Sequence, residues 1–204
     1  MKADAELKHG KWSMSMFAED WNSSQFWYSE STARALAEEL LDGATPDTRV
    51  ALVSAPSVFV QMKNLLLDKD GETGSKPRIA LLEFDDRFSV FNEFVHYDFE
   101  QPLRLDPGLK GKFDRILCDP PFLSTDCQTK AAMTVRWLAK DSITQGSAQF
   151  PRIIVCTGER MEEIVHRLYP CIKTTTFEPE HEQGRLGNEF RCYANYASNL
   201  WTVT

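Results

Sequence analysis

The chain has 204 residues, 42% hydrophobic and 26% charged, which fits one folded domain and excludes a disordered or collagen-like chain; no apolar run approaches membrane-spanning length. A net charge of −7, from 30 acidic and 23 basic residues, argues against a duplex-binding surface and favours a basic partner. Five cysteines without a Cys-x-x-Cys pair point to reduced thiols in the cytoplasm, not to a disulfide framework or a zinc site.

Residues 1–20 are polar and aperiodic and read as a flexible tail, leaving 21–204 as a single domain. Trp21 to Tyr28 is dense in aromatics. Core packing is the ordinary role for Trp27; the alternative is that Gln25, Trp27 and Tyr28 line a ligand pocket from outside the main nucleotide-binding half. Ala33, Leu36, Ala37, Leu40 and Leu41 share one helical face, with Ser29 or Ser31 to cap its start and Asp42-Gly43 to end it.

Arg49 to Val53 predicts a buried strand that runs into Ser54-Ala55-Pro56-Ser57. A helix follows with Val58, Phe59, Met62, Leu65 and Leu66 on one side, and Pro56 suits its first turn. Strand, tight turn and helix offer backbone N–H groups to an anionic ligand group. The turn lacks Gly-x-Gly, and the small residues Ser54 and Ala55 stand in its place. Asp68 to Pro77 reads as a solvated loop.

Arg78 to Phe84 is the next apolar run, ending in Glu83-Phe84-Asp85. A carboxylate just past the second strand is where ribose hydroxyls are gripped in nucleotide-type folds. Glu83 is the first choice and Asp85 the second; only one need bind. Phe94 to Asp98 predicts a short strand, and its Asp98 is placed to accept from the exocyclic amine of an adenine.

Phe113 to Leu123 carries the chemistry. Ile116, Leu117 and Cys118 suit a buried strand, which ends abruptly at Asp119-Pro120-Pro121-Phe122. The prolines cannot donate to a ladder and hold the chain extended. The Asp119 carboxylate and the Pro120 carbonyl are two acceptors with fixed directions, which suit an amino group bearing hydrogens. Phe122 adds a face for a flat base or a cation. Together they make a holder for an amine nucleophile at the carboxyl edge of a sheet.

Beyond it, Thr129 to Ala139 predicts a helix and Arg152 to Cys156 another buried strand. Thr157-Gly158 opens a helix with Met161, Ile164, Val165 and Leu168 in register, stopped by Pro170. Late strands are expected near Ile172 to Phe177 and Phe190 to Ala197. Between them the polar stretch from Glu178 to Glu189 is a candidate substrate-facing loop. His181 lies within it, and a lone loop histidine is more often solvated than a base.

Strand and helix alternate from residue 50 onward, which implies a mainly parallel sheet covered on both faces. Six blocks then occur in order: Ser-Gln-Phe-Trp-Tyr (24–28), Val-Ser-Ala-Pro-Ser-Val (53–58), Glu-Phe-Asp-Asp-Arg-Phe (83–88), Asp-Pro-Pro-Phe-Leu-Ser (119–124), Cys-Thr-Gly (156–158) and Asn-Glu-Phe-Arg-Cys-Tyr (188–193). Together they resemble the eukaryotic lysine methyltransferases that act on translation elongation factor 1-alpha, a family once described as adenine-N6 DNA methyltransferases.

The resemblance implies an α/β, Rossmann-like class I methyltransferase with a seven-stranded, mainly parallel sheet and one antiparallel strand. It implies S-adenosylmethionine as cofactor, held among Gln25, Trp27, Tyr28, Ser54, Ala55, Glu83, Asp85, Asp98 and Asp119. Asp119, Pro120 and Phe122 would serve the amine. The expected partner is elongation factor 1-alpha, with no nucleic acid, membrane or metal, and a monomer is expected. Adenine-N6 methylation is the alternative that Asp-Pro-Pro-Phe permits. The chain departs from the family in a longer loop after Pro179, in Glu180 where a basic residue is more familiar, and in Phe122 where Tyr also occurs.

Overall fold

The computed structural model describes residues 10–19, 25–68, 76–140, 150–182 and 189–204. Its elements are α1 (Glu30–Leu41), β1 (Arg49–Val53), α2 (Pro56–Asp68), β2 (Arg78–Glu83), β3 (Phe94–His96), β4 (Arg115–Cys118), α3 (Thr125–Leu138), β5 (Arg152–Gly158), α4 (Glu162–Leu168), β6 (Lys173–Thr174) and β7 (Phe190–Ala194). The seven strands form one sheet in the order β3-β2-β1-β4-β5-β7-β6. Neighbours from β3 to β5 pair in parallel, whereas β7 runs antiparallel to both β5 and β6. The order reverses between β1 and β4, so a crevice opens at the carboxyl ends of those two strands. This is the class I methyltransferase topology, with one antiparallel strand inserted near an edge.

Period-two alternation along the strands divides the core. On β1, Val50 and Leu52 face one side and meet Leu36 and Leu40 of α1 and Phe59 of α2. Ala51 and Val53 face the other side, with Val135 and Leu138 of α3, Val165 of α4 and Tyr193 of β7. A strand covered on both faces has few polar positions to spare, which is why β1 and β4 read as continuous apolar runs past their opening arginines. Each fully buried leucine there stabilises the fold by about 1.5–3 kcal/mol. Among the described residues no helix is long and apolar enough to cross a membrane.

The amino-terminal segment departs from expectation. Residues 1–9 and 20–24 lie outside the described residues, but 11–17 pack on the domain and do not form a free tail. Trp12 and Asn64 of α2 exchange two hydrogen bonds, at 2.8 and 2.9 Å. Phe17 is buried and stacks on Phe88 at 4.3 Å between ring centres. Two widely spaced aromatic anchors are enough to dock such a segment, and they leave no periodic trace in the sequence. The loop expected over Asp68 to Pro77 falls mostly on 69–75, outside the described residues.

Other boundaries moved as well: the helix expected to open at Thr157-Gly158 begins at Glu162, after a single 3-10 turn over Glu159–Met161, and the last strand ends at Ala194, short of Ala197. Helix α3 begins at Thr125, four residues early, because Ser124 caps it by accepting from the Cys127 N–H at 3.2 Å. Strand β5 runs on to Gly158, because antiparallel pairing with β7 carries it past its apolar stretch. Strand β6 is only Lys173–Thr174, and Thr175 continues as an isolated bridge to Val203.

Candidate active site

A cavity of about 770 Å³ opens at the carboxyl edge of the sheet, within the size range of small-molecule and cofactor sites. The ends of β1, β2 and β4 supply its floor, together with Tyr97 and Asp98 past β3 and Arg160 past β5. Its far wall is the segment before α1, with Gln25, Trp27 and Tyr28, and the segment after β6, with His181.

The turn after β1 is shaped by Ser54, which takes φ of 54°, the single non-glycine with a positive φ among the described residues. Left-handed backbone costs a serine about 1–2 kcal/mol, and this is how the turn is made without a Gly-x-Gly. The Ser54 N–H donates to the Leu82 carbonyl at 2.8 Å, locking the turn to β2. Ala55 then precedes the first turn of α2 with no side-chain oxygen to cap it. Ser54 and Ala55 both line the cavity, so the helix end faces it.

Glu83 closes β2 and is 7% exposed. One carboxyl oxygen accepts from the main-chain N–H groups of Phe84 at 2.9 Å and Asp85 at 3.1 Å. Burial lifts its titration from 4.5 to about 7, although the two N–H bonds pull it back down. Glu83 lines the cavity and Asp85 does not. The Asp85 carboxylate is taken by Arg87, through contacts of 2.6 to 3.0 Å, and by the Gln25 amide at 3.0 Å. Against its partial burial, those bonds from Arg87 and Gln25 hold it below the usual aspartate range. Of the two ribose candidates, Glu83 is the one that lines the cavity. Asp98 stands on the cavity wall past β3, with its carboxylate accepting from the Glu100 N–H at 2.9 Å.

The Asp119-Pro120-Pro121-Phe122 turn leaves β4 directly into the cavity. Its entry is pinned by the Asp119 N–H donating to the Val53 carbonyl at 3.0 Å. Its exit is pinned by Gln128 of α3, whose amide donates to the Phe122 carbonyl at 3.2 Å and to the Thr157 hydroxyl at 3.0 Å. Phe122 is 40% exposed and its ring meets Phe99 at 5.5 Å. Withdrawal from bulk water raises the Asp119 carboxyl to about 7; Tyr28 opposes that rise and Glu83 adds to it. Glu83 and Asp119 are thus two carboxyls of one cavity that both titrate near neutrality. A cation bound beside them would be stabilised by both.

Trp27 takes the packing role. Its indole N–H donates to the Phe17 carbonyl at 2.8 Å and its side chain is buried, although part of the residue borders the cavity. Gln25 is held by Asp85 and Arg87 at the rim. His181 is not a solvated loop residue. It borders the cavity between the rings of Tyr28 at 4.9 Å and Phe190 at 4.4 Å, and burial lowers it to about 4. A histidine so displaced is neutral at physiological pH and a weak base.

Several lining residues have no expectation behind them: Phe84, Tyr97, Phe99, Leu123, Arg160 and Phe190. Phe84, Tyr97 and Phe99 adjoin Glu83 or Asp98, the carboxylates at or past strand ends, which was the available signal, whereas Leu123, Arg160 and Phe190 carry no such mark. Two charge clusters flank the site. Lys130 sits between Asp126 and Glu100, and Arg191 is shared by Glu159, Glu178 and Glu189, so carboxylates outnumber cations in both. Residues 183–188 of the candidate substrate loop lie outside the described residues. Its first part is anchored instead, with the Ser29 N–H donating to the Glu180 carbonyl at 2.8 Å and the Glu182 N–H to the Trp27 carbonyl at 2.9 Å.

Comparison with known proteins adds sequence-level relationships. A family model described as a probable N6-adenine methyltransferase matches residues 19–198. The protein-lysine N-methyltransferase EFM5 of Saccharomyces cerevisiae is 43% identical over 204 residues, covering 97% of this chain and 80% of its own. The EEF1A lysine methyltransferase 1 of Danio rerio is 44% identical over 180 residues, covering 87% of this chain and 98% of its own. The Homo sapiens protein of the same name is 38% identical over 192 residues, covering 93% of this chain and 81% of its own.

Proposed function

The chain belongs to the family of elongation factor 1A lysine methyltransferases, and we propose that it transfers a methyl group from S-adenosylmethionine to the ε-amino group of a lysine of that factor. The observation that carries this reading is that the amine-holding turn and Glu83 face one cavity. The cavity fits the cofactor. Its volume suits a nucleoside-sized ligand, Glu83 supplies a carboxylate where ribose hydroxyls belong, and the Ser54-Ala55 turn opens α2 toward an anionic end. Asp98 is assigned to the adenine amine. Bound there, S-adenosylmethionine supplies an electrophilic methyl group on a positively charged sulfur.

The chain's own task is to bring a neutral amine into line. A lysine with a pKa near 10.4 is about one part in a thousand neutral at physiological pH, a handicap of roughly 4 kcal/mol. Apolar walls and a neighbouring cation lower that pKa. Asp119 and the Pro120 carbonyl accept from the nitrogen and leave its lone pair directed along the transfer axis. With its titration raised to about 7, Asp119 also retains a proton more readily than an exposed aspartate does. Phe122 offers a ring face to the ammonium before it loses its proton.

The surplus of carboxylates on both flanks of the cavity supports a basic protein partner. It disfavours a phosphate backbone, against the adenine reading preserved in the family model's description. We assign the chain to act as a monomer in the cytoplasm, in keeping with five free cysteines. Intact-mass spectrometry of elongation factor 1A after incubation with this protein and S-adenosylmethionine tests the assignment. Mass gained in methyl increments on one lysine is expected; an unchanged mass would reject it.

A further inference from the structure

Tyr28 lies on the cavity wall, and the transfer chemistry leaves its hydroxyl without a task. The residue is 3% exposed and held by Ser57 and His181. Its N–H donates to the Ser57 hydroxyl at 3.3 Å, an antiparallel bridge joins its main chain to His181, and its ring meets the His181 ring at 4.9 Å. Yet its hydroxyl oxygen is buried and closes no hydrogen bond of ordinary length and angle, although it lies near enough to Asp119 to lower that carboxyl's titration. An unpaired buried hydroxyl is costly and calls for an explanation at a functional site.

Tyr28 and Asp119 line the same cavity, and the hydroxyl lies within interaction range of the Asp119 carboxylate and the Cys156 thiol. Around Asp119 the titratable groups are Tyr28 from the segment before α1, Glu83 from β2, Cys118 from β4 itself and Cys156 from β5, the last paired with Cys192 of β7. None of these is a cation. Thiols are weak donors and Glu83 is a second carboxyl, so the tyrosine is the single strong donor in that set. A phenol that donates to one carboxylate oxygen stabilises its charge and fixes the plane of the group. The other lone pairs are then left for the incoming amine.

We propose that Tyr28 is a positioning residue for methyl transfer, its hydroxyl donating to Asp119 so that the carboxylate stays ionised and correctly turned when the substrate amine enters. This role rests on the amine-transfer reading above and differs from that of a cofactor contact. Tyr28 touches neither the methyl group nor the proton; it acts through Asp119.

The test is Tyr28→Phe, which keeps the ring, the bridge and the His181 contact and removes one oxygen. A carboxyl-carbon NMR titration of Asp119, on the protein without substrate, should show its midpoint moving to higher pH. Turnover should fall about tenfold, the worth of one charge-assisted hydrogen bond, with cofactor affinity held within about twofold. The acid limb of the turnover–pH profile should move up with the titration. Tyr193→Phe removes another buried, unpartnered hydroxyl away from the cavity and should change none of these readouts. An unmoved Asp119 midpoint with normal turnover would overturn the proposal. So would weakened cofactor binding with turnover intact, which would make Tyr28 a cofactor contact. Because the titration needs no elongation factor, a failure of the transfer reading is visible separately from a failure of the Tyr28–Asp119 contact.

Discussion

Replacing Glu83 by glutamine sets ligand binding against folding. The carboxyl is 7% exposed, and raising its titration from 4.5 to about 7 corresponds to about 3 kcal/mol. In the folded protein it keeps a proton that the unfolded chain releases. Stability is therefore full below pH 4.5, falls as pH rises from there to about 7, and stays lower beyond. Glutamine has no proton to lose, and its amide oxygen still accepts from the N–H groups of Phe84 and Asp85. Glu83→Gln is expected to gain up to about 3 kcal/mol of unfolding free energy near pH 8 and almost none near pH 4. Cofactor affinity should move the other way, because the variant loses a charged acceptor for two ribose hydroxyls. At about 1.5–3 kcal/mol for each such bond, the loss is at least tenfold. Urea unfolding at the two pH values and calorimetry with S-adenosylmethionine measure both effects. A variant less stable than the parent near pH 8 that binds the cofactor normally would refute the reasoning.

Asp119→Asn should cut methyl transfer more than about a hundredfold while calorimetry finds cofactor affinity nearly unchanged, since the carboxylate is assigned to the amine. Phe122→Leu keeps apolar bulk and loses about 0.5–2 kcal/mol of cation–π attraction, so steady-state kinetics should show a loss of no more than about 30-fold. A methyl group at Gly158 would lie 2.9 and 3.0 Å from the Leu123 side chain, just past the Asp-Pro-Pro-Phe turn. Gly158→Ala should therefore slow single-turnover transfer severalfold without changing cofactor affinity, and adding Leu123→Ala should recover part of the rate. Glu180 and Glu182 are exposed on the anchored part of the substrate loop. Neutralising both should flatten the fall of kcat/KM with ionic strength, measured across a salt series.

The sheet was legible where the sequence had to be continuous and apolar. Val50 to Val53 is bare of polar residues because both faces of β1 are covered, and Pro56 announces the helix that follows. Legibility failed where structure depends on partners distant in sequence. Nothing local to Thr157 and Gly158 reveals that β7 extends the strand to them. Nothing in the spacing of Trp12 and Phe17 reveals their seats against Phe91 and Phe88. At the site, Glu83 and Asp119 could be singled out because each follows a buried strand directly. That the Asp85 carboxylate is engaged by Arg87 and Gln25, away from the cavity lining, could be seen only with those residues folded around it. His181 looked solvated because its neighbours in sequence are charged, whereas its neighbours in space are two aromatic rings.

The amine held at the Asp119 turn is assigned to a protein lysine. The direct measurement is transfer of labelled methyl from S-adenosylmethionine to elongation factor 1A and to DNA oligonucleotides, side by side across a salt series. The account predicts label on a lysine of the elongation factor, falling as salt rises, and none on DNA. Robust labelling of DNA adenine beside an inert elongation factor would contradict it and restore the nucleic-acid reading.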